Sequence, residues 1–231
     1  MKSLPNIYAG IDDATKCPCI GSIFLAGVVA DRKIITYWKK IGVKDSKLLS
    51  RKKRDILEKV IKKTARAYTV RHIPPREIDD KTFNLNTWEM IALLKILRTL
   101  HSKTAFTQVL VDNWEVTDRL FRTRWQRLVS RAWAKRLAEK KISLPKRLPQ
   151  KIHLQAEHQA DTNYTVVGAA SILARAGSDR QYDRYRRQYG DFGSGSPGDP
   201  KTRLFVWQHR KNPLPIIRTS WHTFTTLSVL D

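Results

Sequence analysis

The sequence is short of three things: cysteine, acidic residues, and long apolar runs. Its two cysteines, Cys17 and Cys19, flank Pro18, too close for an ordinary disulfide loop, and no second pair is available to complete a zinc site. They read as reduced thiols, which places the protein in the cytoplasm or another reducing intracellular compartment. No apolar stretch approaches the ~20 residues of a membrane span, and Met1-Lys2-Ser3-Leu4-Pro5 lacks the features of a signal peptide, so a soluble protein without a membrane partner is expected. Internal repeats and low-complexity linkers are missing too, and 231 residues suit a single domain with a sizeable core.

Acid is the most telling deficit. Only 21 Asp and Glu face 44 Lys and Arg, a formal charge of +23. Such an excess repels itself unless a polyanion is usually present, and nucleic acid is the commonest one. A bland alternative is a ribosome-associated or merely very soluble basic protein. Seven each of Trp, Tyr and Phe, with 41% hydrophobic residues, argue for a packed core rather than disorder.

Periodicity predicts strands at Ile7–Ala14, Ile20–Ala30 and Ile34–Trp38, forming an opening meander. Ser50 caps a predicted helix reaching Lys63, with Ile56, Leu57, Val60 and Ile61 on its inner face. A strand over Tyr68–Ile73 stops at Pro74-Pro75, and helical spacing runs from Asp80 to His101. Gln108–Val111 is a short buried strand ending on Asp112. A basic amphipathic helix is expected over Asp118–Lys140, with Leu120, Phe121, Leu128, Trp133 and Leu137 inward. Ile152–Ala156 is a strand candidate, Thr165–Tyr189 a helix, Gly190–Pro200 a loop and Lys201–His209 a last short helix, with the tail ending around Trp221. Strands followed by alternating strands and helices imply an α/β fold, a mixed sheet with helices on its faces.

Asp12 and Asp13 end the first predicted strand, Asp112 ends another, and Asp161 lies where a polar turn meets the Thr165 helix. Strand ends at one edge of an α/β sheet converge on a crevice, where carboxylates can hold Mg²⁺ for phosphodiester hydrolysis. Spacing alone does not decide it, because Asp is also the ordinary residue of caps and turns.

The surrounding words carry more. Gly10-Ile11-Asp12-Asp13-Ala14, Asp45-Ser46-Lys47-Leu48-Leu49-Ser50, Val111-Asp112 and Ala156-Glu157-His158-Gln159-Ala160-Asp161 occur in order. They are followed by Ala169-Ala170-Ser171-Ile172-Leu173-Ala174-Arg175, Asp179-Arg180, Gly193-Ser194-Gly195 ahead of Pro197, and Ser220-Trp221-His222-Thr223. The series resembles ribonuclease HII, in particular its archaeal and eukaryotic branch, over most of the chain. That resemblance implies a ribonuclease-H-like catalytic domain over residues 1–190, with a C-terminal loop and helical region, residues 191–231, packed on it. It implies cleavage of the RNA strand of RNA–DNA hybrids, and nicking beside a single ribonucleotide in duplex DNA, to leave 3′-hydroxyl and 5′-phosphate ends. Asp12, Asp13, Asp112 and Asp161 map onto the family's four acids and would hold Mg²⁺ or Mn²⁺ in a two-metal site. Asp12 would bridge the ions, Asp112 and Asp161 would each hold one, and Asp13 would assist. Ser46 and Lys47 match positions that contact the nucleic-acid backbone, and Arg175 and Arg180 fall in matching blocks.

Three departures affect recognition. The family's second acid is Glu, so the Asp13 carboxylate stops short by ~1.5 Å, where metal distances tolerate only ~0.2 Å. Neighbouring strand residues also face opposite ways, so Asp13 assists only if the strand bends or ends there. The family's Gly-Arg-Gly is replaced by Thr15-Lys16-Cys17, whose side chains would crowd backbone amides that read the ribose, and Lys16 lacks the arginine fork. Ser196 stands where the family usually has a Tyr that packs on the junction sugar. Hydrolysis is therefore expected to survive while single-ribonucleotide preference weakens.

From Arg119 to Lys151 the chain carries a dozen basic residues with Trp125 and Trp133 interleaved, either an added nucleic-acid grip or a solvated helix face. Two rival readings remain: a nucleic-acid-binding protein of this fold with little nuclease activity, and a nuclease of this fold with another structured substrate. A monomer is expected in each case.

Overall fold

The structure, a computed structural model, describes residues 7–140, 142 and 152–227. Five strands form its sheet: β1 (Ile7–Ala14), β2 (Ile23–Asp31), β3 (Ala67–Ile73), β4 (Gln108–Asp112) and β5 (His153–Glu157), in the order β3-β2-β1-β4-β5. β2 pairs antiparallel with β1 and β3, whereas β4 is parallel to β1 and to β5. The sheet is mixed and helices cover both faces, the α/β architecture read from the sequence.

The expected third strand at Ile34–Trp38 is instead part of helix α1 (Arg32–Lys40). Its residues are mostly strand formers, but Asp31 accepts from the Ile34 amide and starts a helix. The same turn buries Trp38, whose indole donates to Thr64 Oγ1 at 2.8 Å. The third strand of the meander is therefore β3. Between α1 and it lie a 3-10 turn (Ser46–Leu48) and α2 (Arg51–Thr64), capped by Ser50 as expected. Ile56, expected on the inner face of α2, is exposed.

A one-turn helix α3 (Pro75–Ile78) precedes α4 (Leu85–His101), which starts later than expected because the Asn84 side chain accepts from the Thr87 amide. Trp88, Ile91, Ala92, Leu94, Ile96 and Leu97 of α4 are all buried, against Ala9 and Ile11 of β1, Ile23 and Leu25 of β2, and Val109 and Val111 of β4. The basic helix expected over Asp118–Lys140 is broken in two, α5 (Asp118–Leu128) and α6 (Arg131–Glu139). Ser130 accepts from the Trp133 amide and restarts the helix, and Leu120 faces solvent while Phe121, Leu128 and Leu137 are buried. Of the basic segment, Lys141, Lys146, Arg147 and Lys151 lie outside the described residues.

After β5 come α7 (Ala160–Asn163) and the long α8 (Thr165–Tyr189). The apolar half of α8 lies on the other face of the sheet, against Phe24, Ala26 and Val28. It approaches closely because Gly10 has no side chain: a Cβ there would lie 2.2 Å from the Val166 carbonyl oxygen. α9 (Pro200–Gln208) and α10 (His222–Leu227) follow, the latter continuing the chain past the expected end at Trp221. Phe192, Phe205, Val206, Ile216 and Ile217 pack with Cys19, Ile20 and Tyr182 in a third apolar cluster, and Ile20 bridges Ile217. No described helix is long and apolar enough to cross a membrane.

Candidate active site

Sheet register begins the site. Ile11 pairs with Val111, so the next residues, Asp12 and Asp112, sit side by side at the ends of parallel strands. Asp112 in turn pairs with Glu157. The chain then turns through Gln159, in the left-handed region at φ 59°, and the Ala160 amide donates to Asp112 Oδ1 at 2.8 Å. That turn sets Asp161 in the first turn of α7, against the start of α8. One carboxylate oxygen from each of Asp12, Asp112 and Asp161 lies within 4.8 Å of the others. Asp12 and Asp161 are buried, at 3% and 4% exposure, and Asp112 is half-buried.

Three carboxylates this close and this dry resist ionising together. Burial, then Asp13 and Asp112, hold the Asp12 carboxyl well above its ordinary range, while the Ser171 hydroxyl beside it pulls the other way. Burial and then Asp112 push Asp161 up to about 6. Burial raises Asp112 too, against the Ala160 amide. Among the described residues, Asp161 Oδ2 is buried without a hydrogen-bond donor. A lone pair left without a donor among like charges is the setting a hard divalent cation satisfies, and an all-oxygen donor set suits Mg²⁺ or Mn²⁺. The residues fit such an ion.

Asp13 stands apart. It remains in the strand, paired with Leu25, so its side chain points to the α4 face while Asp12 points to the α8 face. Among the described residues it is not part of the close cluster. Burial raises its carboxyl, opposed by Lys16 and Lys47. Its neighbour there is Glu89 of α4, fully buried and pushed to about 8 by burial and by Asp13, against the pull of Lys16. Lys16 Nζ meets Glu89 Oε2 at 2.9 Å and also lies 3.4 Å from Asn86 Oδ1 and from the Trp114 carbonyl, so its three donors are occupied. Burial and the nearby Asp13 favour a neutral Glu89, the Lys16 contact favours the carboxylate, and the balance leaves the carboxyl raised.

Thr15 keeps a backbone conformation that belongs to glycine, with φ 66°. For a β-branched residue this costs roughly 1–2 kcal/mol, offset in part by the bond from its hydroxyl to the Ser22 carbonyl at 2.9 Å. Thr15 is buried and Cys17 exposed. Ser46 is buried, accepting from Ser171 Oγ at 2.9 Å, which ties the 3-10 turn to α8 beside Asp12. Lys47 is the exposed cation of that turn, its Nζ 4.0 Å from Asp161 Oδ2. Burial would lower its ammonium, but Asp45 and then Asp161 more than reverse this.

The remaining candidates lie farther along α8 and beyond. Arg175 pairs with Asp179 at 3.2 Å and Arg180 with Glu58 at 2.7 Å, so both are engaged within the protein. Ser196 is exposed in a loop joined to the region after β1 by the Cys19 amide, which donates to the Gly195 carbonyl at 2.9 Å. Sequence reasoning missed Ser171, Glu89 and Arg218. Ser171 lies inside the Ala169–Arg175 motif and Arg218 two residues before Ser220, but nothing in the pattern marks Glu89 within an apolar helix.

The family profile of ribonuclease HII matches residues 9–224. Ribonuclease HII of Pyrococcus furiosus is 36% identical over 217 residues, 93% of this chain and 88% of that protein. Among solved structures, the ribonuclease H2 of Pyrococcus horikoshii superposes with a TM-score of 0.81 at 29% identity, covering 96% of this chain and 97% of that one. The ribonuclease HII of Archaeoglobus fulgidus, solved in a complex with PCNA, gives 0.75 at 29% identity, covering 95% and 96%.

Proposed function

Because the chain belongs to the ribonuclease HII family of metal-dependent type 2 ribonucleases H, we propose that its Asp12–Asp112–Asp161 cluster hydrolyses the RNA strand of RNA–DNA hybrids with weakened preference for single ribonucleotides. The observation that supports this most is the convergence of three carboxylate oxygens within 4.8 Å. Bound divalent ions, Mg²⁺ or Mn²⁺, would activate water and stabilise the leaving oxygen. Asp12, Asp112 and Asp161 would hold them, and Asp13 would assist from its own face of β1 without ligating an ion.

The protein's own groups do the rest. Ser171 and Ser46 fix the side of the cleft beside Asp12, and the Ala160 amide aims Asp112. Lys47, exposed beside Asp161, is placed to meet a backbone phosphate as a mobile point charge. Arg175 and Arg180 are proposed to reach phosphate only by leaving their carboxylate partners, and Cys17 and Ser196 to line the path of the strand. Thr15 and Lys16 present a bulkier, already occupied surface where the family places glycines and an arginine, which supports the loss of junction preference.

The catalytic unit is a monomer in this proposal, since one chain supplies all three acids, with residues 191–227 packed on the catalytic body and the protein working inside the cell. The Archaeoglobus fulgidus relative was solved with PCNA, so a protein partner belongs to the proposal as well. The test is a panel of labelled hybrid, single-ribonucleotide duplex, double-stranded RNA and DNA. Cleavage of the hybrid with little preference for the single ribonucleotide is expected; strong preference for the latter overturns the recognition claim.

A further inference from the structure

Arg218 lies between α9 and α10 and is completely buried. A buried guanidinium is normally matched by a carboxylate, yet among the described residues Arg218 has no acidic partner in an ion pair. It is met instead by carbonyls of the loop that follows Asp12 and Asp13. Nη2 donates to the Thr15 carbonyl, Nη1 to that of Lys16 and Nε to that of Gly21, each at 2.7 Å. The Arg218 amide donates to the Cys19 carbonyl at 2.9 Å. Trp221 adds a fifth, its Nε1 donating to the Cys17 carbonyl at 3.1 Å while its ring lies 4.9 Å from the guanidinium. One short stretch, 218–221, thus holds five carbonyls of the 15–21 loop.

The stretch is anchored from behind. The Asp79 carboxylate, just after α3, accepts from the amide and hydroxyl of Thr219 and of Ser220, at 2.6 to 3.0 Å. The loop it grips includes Thr15, in a conformation its side chain disfavours. A planar peptide whose carbonyl is fixed has its amide direction fixed as well, so the fork of Arg218 sets the peptide planes on both sides of Lys16. A lysine, whose three donors all sit on one nitrogen, cannot span the Thr15, Lys16 and Gly21 carbonyls together.

We propose that Arg218 is a positioning residue for substrate: through the carbonyls of Thr15, Lys16 and Gly21 it locks the loop after β1 into the one conformation on which the nucleic-acid strand seats. The role rests on the proposed contact between this loop and the substrate. The metal carboxylates do not depend on it, because Asp12 and Asp112 are held by strand register and Asp161 by α7. Loss of Arg218 therefore acts on binding and leaves the chemical step intact.

The experiment compares wild type, Arg218→Lys and Arg218→Ala on a uniform RNA–DNA hybrid at saturating Mg²⁺, with hydrogen exchange of the loop read in parallel. KM is expected to rise about tenfold while kcat stays within about threefold, with Mg²⁺ half-saturation unchanged. Free guanidinium should restore much of the KM of Arg218→Ala, and exchange at residues 16 and 17 should accelerate while Val109–Asp112 stays protected. An unchanged KM in a folded Arg218→Lys overturns the proposal, as does a fall in kcat and Mg²⁺ affinity without a change in KM. Should both variants fail to fold, Trp221→Phe keeps the ring and removes only the Cys17 bond; a KM increase of about threefold supports the role, and none overturns it. Exchange in the loop is read without turnover, so a wild type that cuts no hybrid fails the functional proposal while accelerated exchange still tests the grip.

Discussion

Asp12 and Asp13 are neighbours in one strand and live in different chemistry. Asp12 faces α8, where sheet register brings Asp112 beside it and the α7 turn delivers Asp161. Asp13 faces α4, where its neighbours are a lysine already tied to Glu89 and the strained loop beginning at Thr15. The first side is fixed by backbone pairing, which tolerates much sequence change around it. The second depends on side-chain length and on a loop held by carbonyl contacts, so single substitutions remodel it. Catalysis can persist on one face of a strand while recognition drifts on the other.

The sharpest way to break that comparison is to remove one acid from each side. Asp112→Asn should lower the initial rate on hybrid by at least about 10³-fold, since several kcal/mol of metal-held charge stabilisation is lost. Asp13→Asn should cost only about tenfold in the same assay. Equal losses would place Asp13 in the metal site after all and end the distinction between the two faces.

The pH dependence sharpens the α8 side. Asp161 is raised to about 6 from 3.8, so its protonated form contributes to the stability of the metal-free protein below about pH 3.8, and that contribution is lost as pH rises through about 6. Metal needs the carboxylate, so stabilisation by Mg²⁺ should grow over the same interval. Melting with Mg²⁺ and with chelator should show a larger Mg²⁺-induced rise in Tm at about pH 7.5 than at about pH 5. A rise that shrinks with pH contradicts the assignment.

The smallest effect belongs to the α4 side. Glu89→Gln keeps shape and a hydrogen-bond acceptor for Lys16 but removes the ionisable carboxyl, so kcat should change less than about threefold while stability changes by about 1–2 kcal/mol in denaturant melts. A collapse of activity would make Glu89 part of the catalytic machinery.

Much of this was legible in the sequence, for uneven reasons. Strand-end aspartates inside ordered motifs located Asp12, Asp112 and Asp161, because parallel register turns position along the chain into adjacency in space. The strand-forming residues of α1 misled, since the Asp31 cap and the burial of Trp38 outweighed their local preference. Ser130 cuts the basic helix in two through a capping bond that an unbroken charge pattern hides. Glu89 and Arg218 were invisible because their meaning is tertiary: each is an ionisable side chain buried among partners far away in the chain. Strand alternation made help from Asp13 conditional on a bend or an end of the strand, and Asp13 remains paired in β1.

Paired titrations of divalent metal and hydrolysis test the central claim most directly. Mn²⁺ binding followed by electron paramagnetic resonance, and hybrid cleavage on the same samples, would be compared for wild type, Asp12→Asn and Asp112→Asn. Wild type is expected to bind Mn²⁺ and cleave, and each variant, still folded, to lose both together. Metal binding undiminished in the variants, or cleavage that persists in excess chelator, would contradict it.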